Sequence, residues 1–419
     1  MELVAIAVGV FVAITAARLL INPGQRKRER EVLEAALVAS GVTVEWEEVL
    51  AGYSYRLRGL VGPQGLKVGL SSNRKGYRMV VDGLLVVRPL GLAAEDARSA
   101  RRRAVGGGDV ETGDAAFDDA VLVEGPAALA LARLDAETRA RALDVFGPNP
   151  RLEGAALSNG RLFTQVVEEA TSREGLQAAF TAVVALAQRL HAPRKLAEAL
   201  SDNVSRDPEP GVRLASLRAL IREFPGQWVT RDACQRACCD TDERVALAGA
   251  LQLGEGGHDT LLRLAQEAGD DETAVAAIEA LGRALPAALL LQILKHAREK
   301  GRTRKTVACV AVLARRPDAA EVPEVVKPLT DDLASYEEGL PEAAARALGR
   351  LGSIDEVLPL QEAAATVGGA LRSAARQAVA EIQSRARGAT PGQVSLATGE
   401  AGHVSLAEDV SGRMSVPEE

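Results

Sequence analysis

This chain of 419 residues has few aromatic side chains and no excess of basic over acidic residues. Phe, Trp and Tyr together make up 3% of it, and such residues supply the surfaces on which single-stranded nucleic acids and many small ligands stack. The formal net charge is −7, so there is no overall basic excess to neutralise a phosphate backbone. The composition therefore predicts a folded protein that has no nucleic-acid partner.

Cysteine and histidine are equally scarce, with four of each. Cys234, Cys238 and Cys239 fall within one helical stretch, and Cys309 stands alone. Unpaired cysteines are commonly small core residues, whereas a zinc site needs several ligands that converge at a defined spacing. No Ser/His/Asp or Cys/His arrangement is visible in the sequence either. We therefore predict no metal, no cofactor and no catalytic residue, in a protein that is not an enzyme.

Loops that bind phosphate or calcium are missing too. The three glycines at 106–108 lack the Gly-Lys-Ser/Thr ending of a phosphate-binding loop. The stretch that follows, 109–119, carries five acids whose spacing does not match a calcium loop. Short acidic side chains in loops usually accept hydrogen bonds from nearby backbone amides, and we predict that role here.

A long uncharged run is present at the N-terminus. Residues 3–17 carry no charge, and if Arg18 extends toward the interface the apolar stretch continues to residue 21. Nineteen helical residues span about 28 Å, close to the ~30 Å of a bilayer core. We predict a transmembrane anchor over 1–24 and a basic juxtamembrane linker or helix over 25–41. A buried helix or a cleaved signal peptide is the alternative.

The charges beside this run set its predicted orientation. Basic residues occupy four of the positions 26–30, and none precedes the run. The positive-inside rule therefore predicts a single-pass membrane protein with the bulk of the chain in the cytoplasm. The reversed orientation would place it in the periplasm.

Short alternating runs follow over 42–192, for example at 53–57, 66–70 and 77–81. Alternation with turn residues between the runs is typical of an antiparallel sheet that buries one face. Asp82-Gly83 predicts a hairpin into a further strand at 84–87. Helices are expected at about 93–104, from an Asp135 cap to about 146, and at about 174–190, with strands near 120–123, 151–157 and 161–167. We predict a small mixed α+β domain.

The region 193–387 contains an internal repeat, in which a small residue precedes Leu or Val late in a helix. The second members of the pairs are 30 to 35 residues apart. The pairs are Ala219-Leu220, Ala250-Leu251, Ala280-Leu281, Val312-Leu313, Ala347-Leu348 and Ala378-Val379. A second amphipathic helix precedes each marked helix. Two helices per repeat, six times over, predict an all-α solenoid.

These residues resemble those of bacterial HEAT-repeat proteins with short repeats, as in Ala280-Leu281-Gly282 and Ala347-Leu348-Gly349. The resemblance covers about 195 residues, implies an α-solenoid fold and is unspecific for function. It also implies that an early Arg of the second helix bonds an acid in the preceding turn. Arg213 would then pair with Asp207, and Arg244 with Asp240 and Asp242. The whole arrangement is similar to that of membrane-anchored bacterial HEAT proteins.

One column of the repeat is unusually basic. Two residues after the marker stand Arg222, Arg283, Arg315 and Arg350, interrupted by Leu253 and ended by Glu381. Equivalent positions of a solenoid stack into a row, so we predict an arginine ridge that binds an acidic protein partner. The alternative is that each cation offsets a helix dipole.

A basic run could extend the ridge. Between 295 and 316 eight basic residues face one acid, Glu299. We include Lys295, Arg302, Arg304 and Lys305 in the predicted partner surface. The alternative is an ordinary solvated face.

The last segment, 388–419, is rich in Gly, Ser, Ala and Glu, which predicts a disordered low-complexity tail. Yet three units of alternating apolar and polar residues recur every ten positions, at 392–397, 402–407 and 412–417. Such units have the form of strands that add to a sheet edge. Inert tail and docking motif both stay open.

The most economical interpretation is a membrane-tethered scaffold that binds another protein through its repeats. Two alternatives remain. One is a HEAT-like enzyme that acts on a protein-bound tetrapyrrole or on damaged nucleic acid, and the other is an extracytoplasmic envelope scaffold.

Overall fold

A computed structural model of the chain describes residues 23–47, 56–61, 65–73, 76–94, 109–167, 172–316, 323–366, 369–385, 394–396 and 404–406. The chain divides into two compact units, Met1–Arg236 and Ala237–Glu419. The predicted anchor lies almost wholly outside the described residues. Within the described residues, no helix combines the length and the apolar character that crossing a membrane requires.

An antiparallel sheet of eight strands forms the centre of the first unit, in the order β1-β2-β3-β4-β8-β7-β5-β6. The strands are β1 (Val42–Glu47), β2 (Arg56–Val61), β3 (Leu66–Asn73), β4 (Gly76–Asp82), β5 (Gly91–Ala94), β6 (Val121–Glu124), β7 (Leu152–Ser158) and β8 (Arg161–Val167). Alternate residues such as Met79 and Val81 are buried, which confirms the sheet that alternation predicts.

The predicted hairpin at Asp82-Gly83 is wrong. After β4 the chain enters a 3-10 turn, Leu85–Val87, and β4 pairs with β3 and β8 instead. Leu84, Val87 and Leu90 are buried, whereas Leu85 is 71% exposed. Burial at every third position is the period of a 3-10 turn and not of a strand. The helix predicted from residue 93 is also wrong at its start, since Gly91–Ala94 is β5; residues 95–108 lie outside the described ones.

Five helices of the described residues belong to this sheet domain: α1 (Pro23–Ala39), α2 (Ala115–Asp118), α3 (Ala127–Arg133), α4 (Ala136–Phe146) and α5 (Arg173–His191). The side chain of Asp135 accepts a hydrogen bond from the Thr138 amide, which confirms the predicted cap of α4. α1 packs against α5, and Leu33, Ala36 and Leu37 are buried there. The segment predicted as a juxtamembrane linker or helix is thus helical and folded onto the domain.

Twelve described helices follow, in six consecutive pairs. They are α6 (Leu196–Arg206) with α7 (Pro210–Glu223), α8 (Trp228–Ala237) with α9 (Glu243–Leu253), α10 (His258–Glu267) with α11 (Asp271–Leu281), α12 (Ala287–Glu299) with α13 (Thr303–Leu313), α14 (Pro323–Asp332) with α15 (Leu340–Leu351), and α16 (Val357–Thr366) with α17 (Ala370–Arg385). The second helix of each pair carries the predicted marker. An antiparallel sheet domain followed by many helices matches the predicted α+β and all-α organisation.

The second unit has the appearance of a helical repeat. Its second helices pack in succession, α9 on α11, α11 on α13, α13 on α15 and α15 on α17. Leu281, Leu313 and Leu348 are buried along this seam. The second marker pair is turned differently from these three: Leu251 is 48% exposed, and the preceding Ala250 is buried instead.

The first helical pair belongs to the first unit. α3 packs against both α6 and α7, and the Asn203 amide donates to the Leu131 carbonyl over 2.8 Å. The first compact unit ends at Arg236, near the end of α8, so it contains the first helical pair as well as the sheet.

The described part of the tail is a two-stranded antiparallel sheet of β9 (Val394–Leu396) and β10 (Val404–Leu406). These strands are the first two of the ten-residue units, and the third lies outside the described residues. The tail predicted as disordered therefore contains strands, and two copies of the unit pair with each other.

Candidate functional site

Three of the four arginines of the predicted ridge line one small pocket in the second unit. The pocket has a volume of ≈ 250 Å³, and its lining consists of Gly282, Arg283, Val312, Arg315 and Arg350. Arg350 lies in the last turn of α15, and Arg283 and Arg315 stand two residues beyond the ends of α11 and α13. These three helices pack side by side. Equivalent positions of three successive helical pairs thus line one pocket.

None of these three arginines is neutralised within the part of the chain that the structure describes. Arg283, Arg315 and Arg350 are exposed, and their guanidinium groups make no hydrogen bond or ion pair with a described residue. The pocket lining contains no acid. Three like charges around one cavity repel one another until an anion enters it.

The pocket is open at Gly282. This glycine ends α11 with a φ of 47°, a conformation that favours glycine, and a Cβ added there would meet nothing within 4 Å. A side chain at this position would project into free space beside Arg283, so glycine leaves the backbone uncovered at the mouth.

The row stops at the next repeat. Glu381 on α17 holds the equivalent position, and its carboxylate lies 3.0 Å from the place that a Cβ on Gly349 would occupy. It accepts a hydrogen bond from Gln377 over 3.0 Å. The concentration of positive charge is therefore confined to the three middle positions.

The remaining predicted site residues are arranged differently. Arg222 lies in the first unit and forms an ion pair of 2.8 Å with Glu223. Lys295 is exposed on α12 and does not line the pocket. The Arg304 guanidinium pairs with Glu272 over 3.1 Å.

Two residues of the basic run join neighbouring repeats, and for the buried Lys305 this corrects the predicted place in a partner surface. Arg302 donates to the carbonyls of Ala268 and Gly269 over 2.6 and 3.1 Å. Lys305 is 1% exposed and donates to the Gln266 carbonyl over 3.1 Å. These carbonyls lie at the C-terminal end of α10, where a helix leaves its last acceptors unpaired. Lys305 is therefore unavailable to a partner.

Arginines outside the ridge donate hydrogen bonds to the carbonyl groups at these helix ends. Arg385 donates to the carbonyls of Gly349 and Gly352 at the end of α15, which is the end that carries Arg350. Arg316 likewise donates to the Leu285 carbonyl. Since Arg385 already satisfies the carbonyls beside it, Arg350 is not needed as a hydrogen-bonding cap.

The pairing implied by the HEAT resemblance is present at one position and altered at another. Arg244 binds Asp242 over 3.0 Å. The Asp207 carboxylate instead receives two hydrogen bonds of 2.9 Å from Arg139 of α4, while Arg213 donates to the carbonyls of Asp207 and Pro208.

Arg139 is the principal buried ion-pair residue of the first unit, and sequence inspection missed it. Its side chain is 2% exposed and that of Asp207 is 1% exposed, while its Nε lies 2.8 Å from Asp114. Burial lowers the pKa of Arg139, but the hydrogen bonds with both carboxylates outweigh that effect and raise it. No local pattern marks this residue, because its partner lies far along the chain.

A larger cleft in the first unit, of ≈ 910 Å³, is lined by charges of both signs. Asp135 binds Arg189 over 2.7 Å and also binds Arg194. Burial raises the pKa of Asp135, but hydrogen bonds from Thr138, Arg194 and Arg189 outweigh it and hold the pKa well below its ordinary range. Arg133 donates to the carbonyls of Ala192 and Arg194. This is an internally compensated network rather than an unoccupied charge site.

The acidic stretch behaves as predicted. Asp118 accepts hydrogen bonds from the amides of Thr112 and Gly113, and Asp114 caps α2 through the Phe117 amide. Among the described residues, no group of three or more His, Cys, Asp or Glu could hold a metal ion. These carboxylates stabilise a loop.

The four cysteines form no disulfide and lie in different settings. Cys234 and Cys309 are buried, as a core role predicts, whereas Cys239 is exposed. Burial raises the pKa of Cys309 to about 12, so this thiol stays protonated and unreactive at neutral pH.

No protein-family model matches the chain, and no curated protein matches it either. The arginine pocket is therefore interpreted from its own geometry and chemistry.

Proposed function

We propose that the chain is a non-enzymatic interaction protein whose helices form a HEAT-type α-solenoid and bind an acidic segment of a partner protein in the arginine pocket. The observation that carries the proposal is the convergence of Arg283, Arg315 and Arg350 on one cavity whose lining holds no acid. Arginine is suited to this role because its planar group binds a carboxylate through two parallel hydrogen bonds.

The chemistry of the lining favours binding over catalysis. A guanidinium stays protonated at every physiological pH and is no general acid or base. Glycine and valine, the other two lining residues, supply neither a nucleophile nor a proton carrier. A HEAT-like enzyme would need such a group beside its substrate.

A transmembrane helix at the N-terminus would hold the proposed scaffold at a membrane. The apolar run at residues 3–21, followed by basic residues, has the length and flanks of a single transmembrane helix. Held in this way at the inner face of a membrane, the repeats would concentrate an acidic partner there.

The proposal is tested by reversing charge in the pocket. Arg283→Glu combined with Arg315→Glu should abolish cross-linked capture of the main partner, because two attractive contacts become repulsive. Both side chains are exposed, so the helical content and melting temperature should stay close to wild type. The difference in partner capture between wild type and the double variant should increase at low ionic strength, because exposed charges are screened over about 10 Å at 0.1 M salt.

A matched control reverses two exposed cations outside the pocket, Lys300→Glu with Arg376→Glu. This variant carries the same change in net charge and should capture the partner normally. Equal capture by wild type and by the pocket variant would refute the proposal.

A further inference from the structure

We infer that the arginine pocket recognises a phosphomonoester dianion, carried on a phosphorylated serine or threonine of the partner segment. This inference rests on the proposed function, since it names the chemical group that the acidic partner presents. It concerns Arg283, Arg315 and Arg350 acting together on one ligand group.

The first argument is charge balance. Three guanidinium groups line the pocket and no described carboxylate pairs with them. A single Glu or Asp side chain would bring one negative charge and leave most of the repulsion in place. A phosphoserine brings about −1.5 to −2 at neutral pH on one compact group.

The second argument is the number of acceptors. A phosphomonoester presents three terminal oxygens, and each can accept charge-assisted hydrogen bonds from a different guanidinium. The pocket receives one arginine from each of three consecutive helical pairs, at or just beyond the C-terminal ends of α11, α13 and α15. Donors that approach from separate elements suit a tetrahedral group better than a planar carboxylate, for which one arginine is sufficient.

The third argument is the isolation of the pocket. A nucleic-acid strand would need further cations along its backbone. Here Leu253 and Glu381 occupy the row on either side in sequence, while Arg302, Arg304 and Lys305 are engaged with carbonyls or with Glu272. The lining has no aromatic side chain on which a base could stack. These features fit one phosphate group rather than a chain of them.

The test uses the full chain in detergent and three synthetic peptides, Gly-Gly-X-Gly-Gly, in which X is phosphoserine, glutamate or serine. We expect the phosphoserine peptide to bind about tenfold more tightly than the glutamate peptide, as measured by titration calorimetry. The serine peptide should not bind. Inorganic phosphate should compete with the phosphopeptide, and acetate at the same ionic strength should not.

Two variants connect the binding to the pocket. Arg315→Lys keeps the positive charge but loses the planar guanidinium, which can donate two parallel hydrogen bonds. The variant should therefore bind the phosphopeptide more weakly than wild type, while the dependence of binding on salt concentration stays nearly the same. The Lys300→Glu and Arg376→Glu control should bind as wild type does.

The outcomes separate the two proposals. Equal affinity for the phosphoserine and glutamate peptides would overturn the phosphate inference and leave the acidic-partner function standing. So would the absence of peptide binding in a protein whose partner capture still depends on Arg283 and Arg315. Tighter binding of a phosphodiester dinucleotide, or of vesicles that carry a phosphomonoester headgroup, would reassign the pocket to nucleic acid or to a membrane. If capture is also indifferent to the arginines, both proposals fail.

Discussion

Hydrogen bonding distinguishes two kinds of arginine in the second unit. Arg302 and Arg385 donate to carbonyls at the ends of helices in the preceding repeat, at 268–269 and 349–352. Arg283, Arg315 and Arg350 have no such acceptor among the described residues. The first kind stabilises the fold, because it satisfies acceptors that a helix end leaves unpaired. The second kind has side-chain donors that the described residues leave unused, and we propose that a ligand engages them.

Arg139 of the first unit is a buried arginine whose side chain serves the stability of the fold. We predict that Arg139→Met lowers the free energy of unfolding by about 3–5 kcal/mol, because the buried Asp207 carboxylate loses its cation. The measurement is urea denaturation followed by circular dichroism. Arg141→Met, an exposed position on the same helix, is the matched control and should change stability by about 0.5 kcal/mol or less.

Restoring neutrality should recover part of the loss. Adding Asp207→Asn to Arg139→Met removes the unpaired charge, so the double variant should be more stable than the single one. A single variant as stable as wild type would mean that the pair does not hold α4 to the first helical pair.

At the scale of helices, the repeat seam depends on which marker residues reach the core. Leu281 is 4% exposed and Leu251, at the same repeat position, is 48% exposed. The two residues therefore form a natural comparison between a seam position and a surface position.

We predict that Leu281→Asp destabilises the second unit by several kcal/mol, since an unpaired carboxylate enters apolar surroundings or must take up a proton. The loss should extend beyond one helix pair, because neighbouring repeats share the interface. Amide hydrogen exchange would follow the spread. Leu251→Asp is the control and should change the stability of the second unit very little. Comparable losses of stability in the two variants would show that the seam is misassigned.

For the whole molecule, the prediction to test is its placement relative to a membrane. The charge imbalance around residues 3–21 predicts that the repeats lie in the cytoplasm. A reporter that is active only in the cytoplasm should therefore be active when it is fused after Glu419. A reporter that is active only in the periplasm, fused at the same position, is the control and should be inactive. Activity of the periplasmic reporter would reverse the predicted topology and expose Cys239 to oxidising conditions.

The sequence by itself was sufficient for the elements whose pattern is local. Alternation located β3, β4, β7 and β8, and the recurring small-Leu pair located the second helix of every repeat. Both signals depend on spacing along one strand or helix, which is set by backbone geometry. The same regularity predicted a row of Arg222, Arg283, Arg315 and Arg350, of which the last three line one pocket.

Only the tertiary structure decided how each polar group is used. The basic run and the arginine ridge look alike in sequence, yet Lys305 is buried against the Gln266 carbonyl while Arg315 stays exposed. In the same way Asp207 binds Arg139, and β4 pairs with β8. Each outcome depends on which group lies opposite in space, and residues far apart in the chain determine that.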